Sequence, residues 1–468
     1  MNKKTRRNIN KFIPLIAVLM TFIFWNCSKD ITSQPGSNNL PETHLFLSFP
    51  DSLPDSLAMP DTSTSTKIIH WYGDDVDGEV VGFYHAWDET LSDTAWTYTT
   101  DNMDTFYVPI REAYGEFTFY IKAVDNQDGI DPSPAYITFP VINSPPAIQF
   151  PVDFEISYLD EDFIGFNIMT FGWNGSDPDG DETIVKYEYY LGDGNTPVDT
   201  VSFDTLTWIE LPTSPQRLTL SDLSVGEHRV FFRATDIAGA LSDVIFYPDT
   251  TATWTVQEPI GDVLYIDDNS FTLNPEEIYI QVLDSMYGAN YSHWNIQERT
   301  YYYPSDITTA FSNFDKIVWN SGSYPHFREC ESSLYNFLNN DGKLVVSTTY
   351  ADEDTTIYGF LPIDSVTATG INRPRIYSVD SRYLEITGSM QYPISYVFGF
   401  IPGVPEFLPA DSVTALYRAE NVDTGEIIAA RYPATGTAKV IMFSFPIQNC
   451  QDGAGFQWLL PFILTEEF

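Results

Sequence analysis

The chain has 468 residues, 43% hydrophobic and 15% aromatic, enough apolar material for about three cores of ordinary domain size. Its 65 Asp and Glu against 23 Lys and Arg give a formal net charge of −42, which excludes a basic groove, so no nucleic-acid partner is expected. The plain meaning of such acidity is solubility through self-repulsion; cation binding is the sharper meaning, and composition does not select it.

Residues 1–26 read as a targeting segment. Lys3, Lys4, Arg6, Arg7 and Lys11 form a basic end, and the run from Phe12 to Trp25 is almost wholly apolar. That run is short of the roughly 20 residues a helix needs to span a bilayer. Cys27 stands directly behind it, and the arrangement resembles a bacterial lipoprotein signal, in which the thiol is acylated and becomes the new N-terminus. The resemblance implies a lipid anchor at Cys27, the membrane as a partner, and, from Ser28 in place of an aspartate, sorting to the outer membrane of the cell envelope. Residues 27–40 then form a polar, flexible tether.

Beyond the tether the chain is organised by internal repetition. Trp71 and Trp173 each lead into a Gly-x-Asp-x-Asp-Gly stretch, Gly73 to Gly78 and Gly175 to Gly180, and GEFTFYIKAVD (Gly115 to Asp125) matches GEHRVFFRATD (Gly226 to Asp236). Phe119, Ile121 and Ala123, and likewise Val230, Phe232 and Ala234, alternate with residues expected to face outward, among them Arg229, Phe231 and Arg233; this is the period of half-buried antiparallel strands. Two consecutive all-β sandwiches are expected over 41–143 and 144–257, joined at Asn143-Ser144-Pro145-Pro146. The early tryptophan, the D-x-D-G turn and the late strand ending K/R-A-x-D resemble fibronectin type III or related immunoglobulin-like modules of bacterial surface proteins. That resemblance implies spacers or adhesion surfaces.

The repeated acidic turns, Asp75, Asp77 and Glu79, then Asp177, Asp179 and Asp181, invite a calcium reading. An EF-hand loop wants carboxylates at positions 1, 3 and 5, glycine at 6 and glutamate at 12, and both repeats fail in the later places. Asp-Gly is itself a strong turn pair, so turns are expected, with at most weak calcium if the nearby Asp125 to Asp128 adds oxygens, and no other cofactor. Trp87, Trp96 and Trp208 could stack on sugar rings, but cross-strand pairing is the plainer use of aromatics in a sandwich.

After Glu258-Pro259 the period changes to alternating strand and helix. Strands are expected at Asp262–Asp267, Tyr291–Ile296, Lys316–Asn320 and Lys343–Ser347, and helices at Asn274–Gly288, from a cap at Ser305 to Phe311, and at Glu329–Asn340. A hairpin (Val413–Ala419 with Ile427–Tyr432), a strand (Ala438–Phe445) and a helix (Gln457–Leu464) complete an α/β parallel-sheet domain with helices on both faces over 258–468, making the protein multidomain. With NNDGKLVVS and TAKVIMFSFPI, this region resembles the class I glutamine amidotransferase-like fold attached to secreted bacterial proteins.

In an active amidotransferase, the resemblance implies a cysteine on the sharp turn after a strand, with histidine and glutamate downstream. Here the turn reads Asn320-Ser321-Gly322-Ser323, Cys330 lies within the following helix, and no histidine follows His326. The fold is read as catalytically silent and the protein as no enzyme. A serine-type hydrolase using Ser321 or Ser323 with His326 is the remaining enzymatic alternative. The six histidines, His44, His70, His85, His228, His293 and His326, show no H-x-x-x-H spacing, so no zinc site is expected. Export would leave Cys330 and Cys450 as a pair, with a disulfide placed ahead of two buried thiols.

In an open parallel sheet ligands bind at the carboxyl ends of the strands, where the winding direction reverses. If the order is flavodoxin-like, the first and third strands flank that crevice, placing Asp267, Asp268, Asn320, Ser321, Ser323 and His326 on its floor. Such a surface suits a cation, an amine or a sugar hydroxyl better than a phosphate. The sequence is read as a lipid-anchored, non-catalytic envelope protein that binds a glycan or protein partner or acts as a scaffold. The alternatives are a glycan-binding or glycan-processing accessory lipoprotein and a serine-type hydrolase.

Overall fold

The computed structural model describes residues 38–47, 66–87, 96–108, 112–269, 276–322, 326–348, 358–373, 375–383, 386–387, 390–391, 397–398, 401–409, 411–419, 421, 423–449, 452–453 and 455–468. The targeting segment, Cys27, Ser323 and Cys450 lie outside the described residues. The chain is mostly β-strand in several sheets with few helices, consistent with β-sandwich modules. It divides into two compact units, Met1–Ser144 and Pro145–Phe468.

In the first unit, β1 (Glu42–Leu47), β2 (Thr66–Asp74) and β5 (Met103–Tyr107) form one antiparallel sheet; β4 (Thr97–Thr99), β3 (Val80–Trp87), β6 (Tyr114–Asp125) and β7 (Ala135–Ile142) form another. Ile69 and Trp71 from the first sheet share a core with Phe83, Phe119, Ile121, Ala123, Phe139 and Val141 from the second. The expected alternation holds in β6, where Phe119, Ile121 and Ala123 are all fully buried. Trp71 anchors the core with its ring 5.9 Å from Phe119 and 6.3 Å from Phe83.

The second unit begins with β8 (Ala147–Gln149), α1 (Val152–Tyr158), β9 (Phe163–Gly165), β10 (Ile168–Gly172), β11 (Asn174–Ser176) and β12 (Ile184–Asp193). Then come β13 (Ile209–Leu211), β14 (Arg217–Ser221), β15 (Gly226–Asp236), β16 (Ile245–Tyr247) and β17 (Trp254–Val256). One sheet runs β13-β12-β15-β17-β9 with β16 also on β15, while β10 pairs with β14 and β11 with β8. Val230, Phe232 and Ala234 of β15 are buried as expected, but Phe231 is fully buried too. The reason is local: Phe203 and Phe246 cover the outer face, with ring centroids 5.6 and 5.7 Å from Phe231.

Beyond residue 258, β18 (Val263–Asp268), β19 (Ser292–Asn295), β20 (Lys316–Ser321), β21 (Lys343–Ser347) and the later β24 (Val440–Phe443) pair side by side in parallel, in the order β19-β18-β20-β21-β24. Two antiparallel strands, β23 (Ile427–Tyr432) and then β22 (Thr414–Ala419), extend that edge. The helices α2 (Glu276–Tyr287) and α5 (Phe456–Phe462) pack Tyr279, Leu283 and Leu459 into one apolar cluster with Tyr265 and Val318. The helices α3 (Pro304–Phe311) and α4 (Phe327–Asn339) pack Ile307, Phe311, Leu334 and Phe337 into another with Ile266 and Trp319. Ser305 does not cap α3: Tyr303 holds the cap position without a side-chain bond and Pro304 opens the helix, its fixed φ suiting the first turn. The helix α4 stops where Asp341 takes a φ of 67°, followed by Gly342 against the Phe337 ring.

The second cluster also contains Phe171, Trp173, Phe232 and Trp254, so residues 145–257 and 258–468 share one core rather than meeting at a thin joint. Polar bonds cross the same seam. Trp294 Nε1 donates to the carbonyl of Ile164 at 2.8 Å, Phe166 N donates to the Tyr301 hydroxyl, and Asp306 accepts both Thr170 N at 2.7 Å and Thr170 Oγ1 at 2.6 Å. Asp306 and Thr170 are buried, so losing the carboxylate strands a main-chain N–H away from water. Asp306→Ala is therefore expected to cost about 1–3 kcal/mol, read in urea unfolding as one cooperative transition of the whole second unit at a lower midpoint. An unchanged midpoint, or separate transitions for the two halves in the wild type, would refute the shared core.

Candidate functional site

The order β19-β18-β20 places the first strand of the parallel set between the second and third, so β18 and β20 end side by side with Asp267 opposite Asn320 and Asp268 opposite Ser321. All four are buried: Asp267 is 0% exposed, Asn320 1%, and Asp268 and Ser321 4% each. Successive side chains of a strand point to opposite faces, and here that separates residues that the strand ends alone would put on one floor.

On the face of α3 and α4, Asp268 is a hydrogen-bond hub. Its Oδ2 accepts His326 N at 2.8 Å and Trp319 Nε1 at 3.0 Å, and its Oδ1 lies 2.6 Å from His326 Nδ1. His326 sits at the start of α4, so the carboxylate ties the head of that helix to the end of β18. Burial pushes the Asp268 carboxyl above its ordinary 3.8, against its bonds from His326 and Trp319. Burial lowers the His326 pKa, but the bond and charge of Asp268 outweigh it and the net shift is upward from 6.5. Each group favours the charged form of the other: Asp268 raises the His326 pKa, and the His326 bonds oppose the effect of burial on the carboxyl. Ser321 Oγ, one strand across, is buried and makes no hydrogen bond. Trp319 was missed in the sequence, although its place two residues before Ser321 puts it on the same face of β20.

On the opposite face, Asp267 Oδ2 accepts Gln297 Nε2 at 2.7 Å. It meets Glu276 from the start of α2 and His293 from β19, with one ligand atom from each within 4.8 Å of the others. Among the described residues this is the one such grouping of three acidic, histidine or cysteine side chains. No sequence spacing pointed to Glu276 and His293; His293 arrives because it pairs opposite Tyr265 across the β18–β19 ladder.

The acidic turns are closed in part by their own carboxylates, while Asp75 Oδ2 and Asp177 Oδ2 are buried without a hydrogen-bond partner. Asp177 Oδ1 accepts Asp179 N at 2.8 Å, Asp181 Oδ1 accepts Asp177 N at 3.0 Å, and Gly180 takes a φ of 114°, so these carboxylates close their own turn. In the first repeat Asp75 Oδ1 accepts Asp77 N at 3.2 Å, and Asp77 accepts Asn39 N, while Glu79 offers its carbonyl to Asn126 N. Asp125, the suggested extra oxygen donor, is bonded to Gln127 N, Gly129 N and Asn38 Nδ2. Trp96 lies under Lys122 Nζ at 4.1 Å, Trp208 under Arg233 at 4.3 Å, and Trp87 packs on Phe106, Phe119 and Phe139. Cys330 is a free thiol, fully buried in α4, its pKa pushed well up by burial. No helix among the described residues is long and apolar enough to cross a membrane.

No family model matches the chain, and no curated protein does. Among solved structures, the chain is similar to fibronectin(III)-like modules of Clostridium thermocellum CbhA, at 14% identity over 46% of this chain and 95% of that one, with a TM-score of 0.18. It is also similar to the N-terminal domain of mmIFT52, at 13% identity over 44% of this chain and 98% of that one, with a TM-score of 0.30.

The Asp268–His326 pair has a titration that tests it. A histidine whose pKa is raised by folding stabilises the fold fully below its ordinary value of 6.5, and that stabilisation is lost as pH rises through the raised value. In a histidine-detected NMR titration, with His326 assigned by His326→Gln, the ring is expected to deprotonate above 6.5, and Asp268→Asn to bring it below. A wild-type His326 that titrates below 6.5 would contradict the pair.

Proposed function

We propose that this is a non-catalytic binding protein of the bacterial envelope, held to the membrane by lipid on Cys27. Residues 41–143 and 144–257 serve as fibronectin type III-like or immunoglobulin-like spacers, and 258–468 as a three-layer, amidotransferase-like α/β domain that carries the binding crevice. The observation that carries this reading is the Asp268–His326 pair. Its carboxylate is spent on three hydrogen bonds, and its imidazole keeps 24% of its side chain in contact with solvent. The neighbouring Ser321 hydroxyl is left over as an unpaired donor and acceptor. A neutral hydroxylated ligand, as a glycan is, can exchange hydrogen bonds with the solvent-facing edge of that ring.

One observation favours a second reading. A carboxylate on Nδ1 of a partly exposed imidazole, at 2.6 Å, is two thirds of a serine hydrolase triad. Against it, the seryl hydroxyl of Ser321 makes no bond to the imidazole, the contact through which a base activates a nucleophile.

The test uses the full chain. On a glycan array, Ser321→Ala is expected to weaken the signal of a bound glycan at least tenfold with unchanged melting, and His326→Gln to weaken it while lowering the melting temperature because Asp268 loses its partner, while a fluorophosphonate leaves Ser321 unlabelled. A wild type that binds no glycan, or binding unchanged in both variants, would defeat the crevice assignment, and a stoichiometric adduct on Ser321 would establish the hydrolase instead. In cells, Cys27→Ala should leave the membrane fraction; unchanged fractionation would remove the anchor from the proposal.

A further inference from the structure

The grouping behind β18 stands apart from the crevice, on the other face of the sheet. Asp267 ends a parallel strand, Glu276 opens α2, and His293 comes from the edge strand β19, so three separate elements bring their ligand atoms within 4.8 Å of one another. Two carboxylates at that range repel, the more so because Asp267 is fully buried. The His293 Nε2 atom is out of contact with solvent and makes no hydrogen bond, although it faces Glu276 Oε1 at 3.5 Å. Leaving a ring nitrogen in that condition costs free energy unless something else meets it there.

The ligand atoms are also held in place. His293 stacks on Tyr265 with centroids 5.0 Å apart and planes at 17°, and Tyr265 stacks on Tyr279 of α2 at 5.0 Å and 9°. Gln297 Nε2 and Asn269 N hold the two oxygens of Asp267, at 2.7 and 3.3 Å. Such outer contacts are what orient ligands in metal sites.

We propose that Asp267, Glu276 and His293 form a binding site for a divalent transition-metal cation of the zinc and manganese class. The imidazole donor sets this class apart from calcium and magnesium, which prefer all-oxygen shells, and the absence of sulfur from the three ligands sets it apart from copper(I). Two carboxylates neutralise the charge of a divalent ion, and three protein ligands leave coordination positions for water or a bound molecule. The H-x-x-x-H spacing sought in the sequence is not needed, because the sheet order supplies the convergence.

The experiment is calorimetric titration of zinc chloride and, separately, manganese chloride into the untagged full-length protein after chelation, with melting followed in parallel. At least one of the two ions is expected to bind with one-to-one stoichiometry and to raise the melting temperature. Glu276→Gln and His293→Asn should each weaken binding at least tenfold and abolish the rise. Glu276 is half-buried at the head of its helix, so Glu276→Gln keeps the fold and remains decisive if His293→Asn does not. Absence of saturable binding by the wild type with either ion, or binding unchanged in Glu276→Gln, would overturn the site.

Discussion

The structure of the C-terminal half turns on two consecutive buried aspartates at the end of one strand. Because β18 lies between β19 and β20, its last residues are enclosed by strands on both sides and by helices on both faces. Neither carboxylate can be left bare in such a place, since burying an unpaired charge costs several kcal/mol. The strand's alternation then sends Asp268 to one face, where His326 and Trp319 meet it, and Asp267 to the other, where Gln297 meets it beside Glu276 and His293. One dipeptide thus anchors two side-chain clusters, one on each face of the sheet.

The framework that holds this strand end is wider than the parallel sheet. Tyr301, Asp306 and Trp294, all from the segment after β18, bind main-chain groups of residues 164–170 in the preceding sandwich strands. Those contacts fix α3, and α3 packs against α4, whose first turn carries His326; Thr308 and Ser333 hydroxyls meet across the two helices at 2.8 Å. The position of the imidazole thus depends on packing more than a hundred residues away in sequence. A spacer severed from its neighbour would not supply it.

Much of this was legible in the sequence. The strand and helix periods after residue 258 located β18 to β21 and α2 to α4 to within a few residues, because Val, Ile and Leu runs bounded by Asp, Asn and Gly carry a strong local signal. Asp268, Ser321 and His326 were legible for a topological reason: they end the first strand or follow the third. Glu276 and His293 were not, since what joins them is the pairing of β19 beside β18, which no spacing in the chain encodes. Phe231 failed for a related reason. Its outward position is determined by its strand, but the cover from Phe203 and Phe246 is tertiary.

The central claim is that Asp267 and Asp268 serve separate chemistry on opposite faces. The most direct measurement is histidine-resolved NMR of the full chain during a zinc titration at constant pH, in wild type and in Ser321→Ala. The His293 ring signals should shift or exchange with one equivalent of metal in both proteins while those of His326 stay in place. Simultaneous movement of both histidines at one equivalent, or movement of His326 alone, would contradict two independent sites.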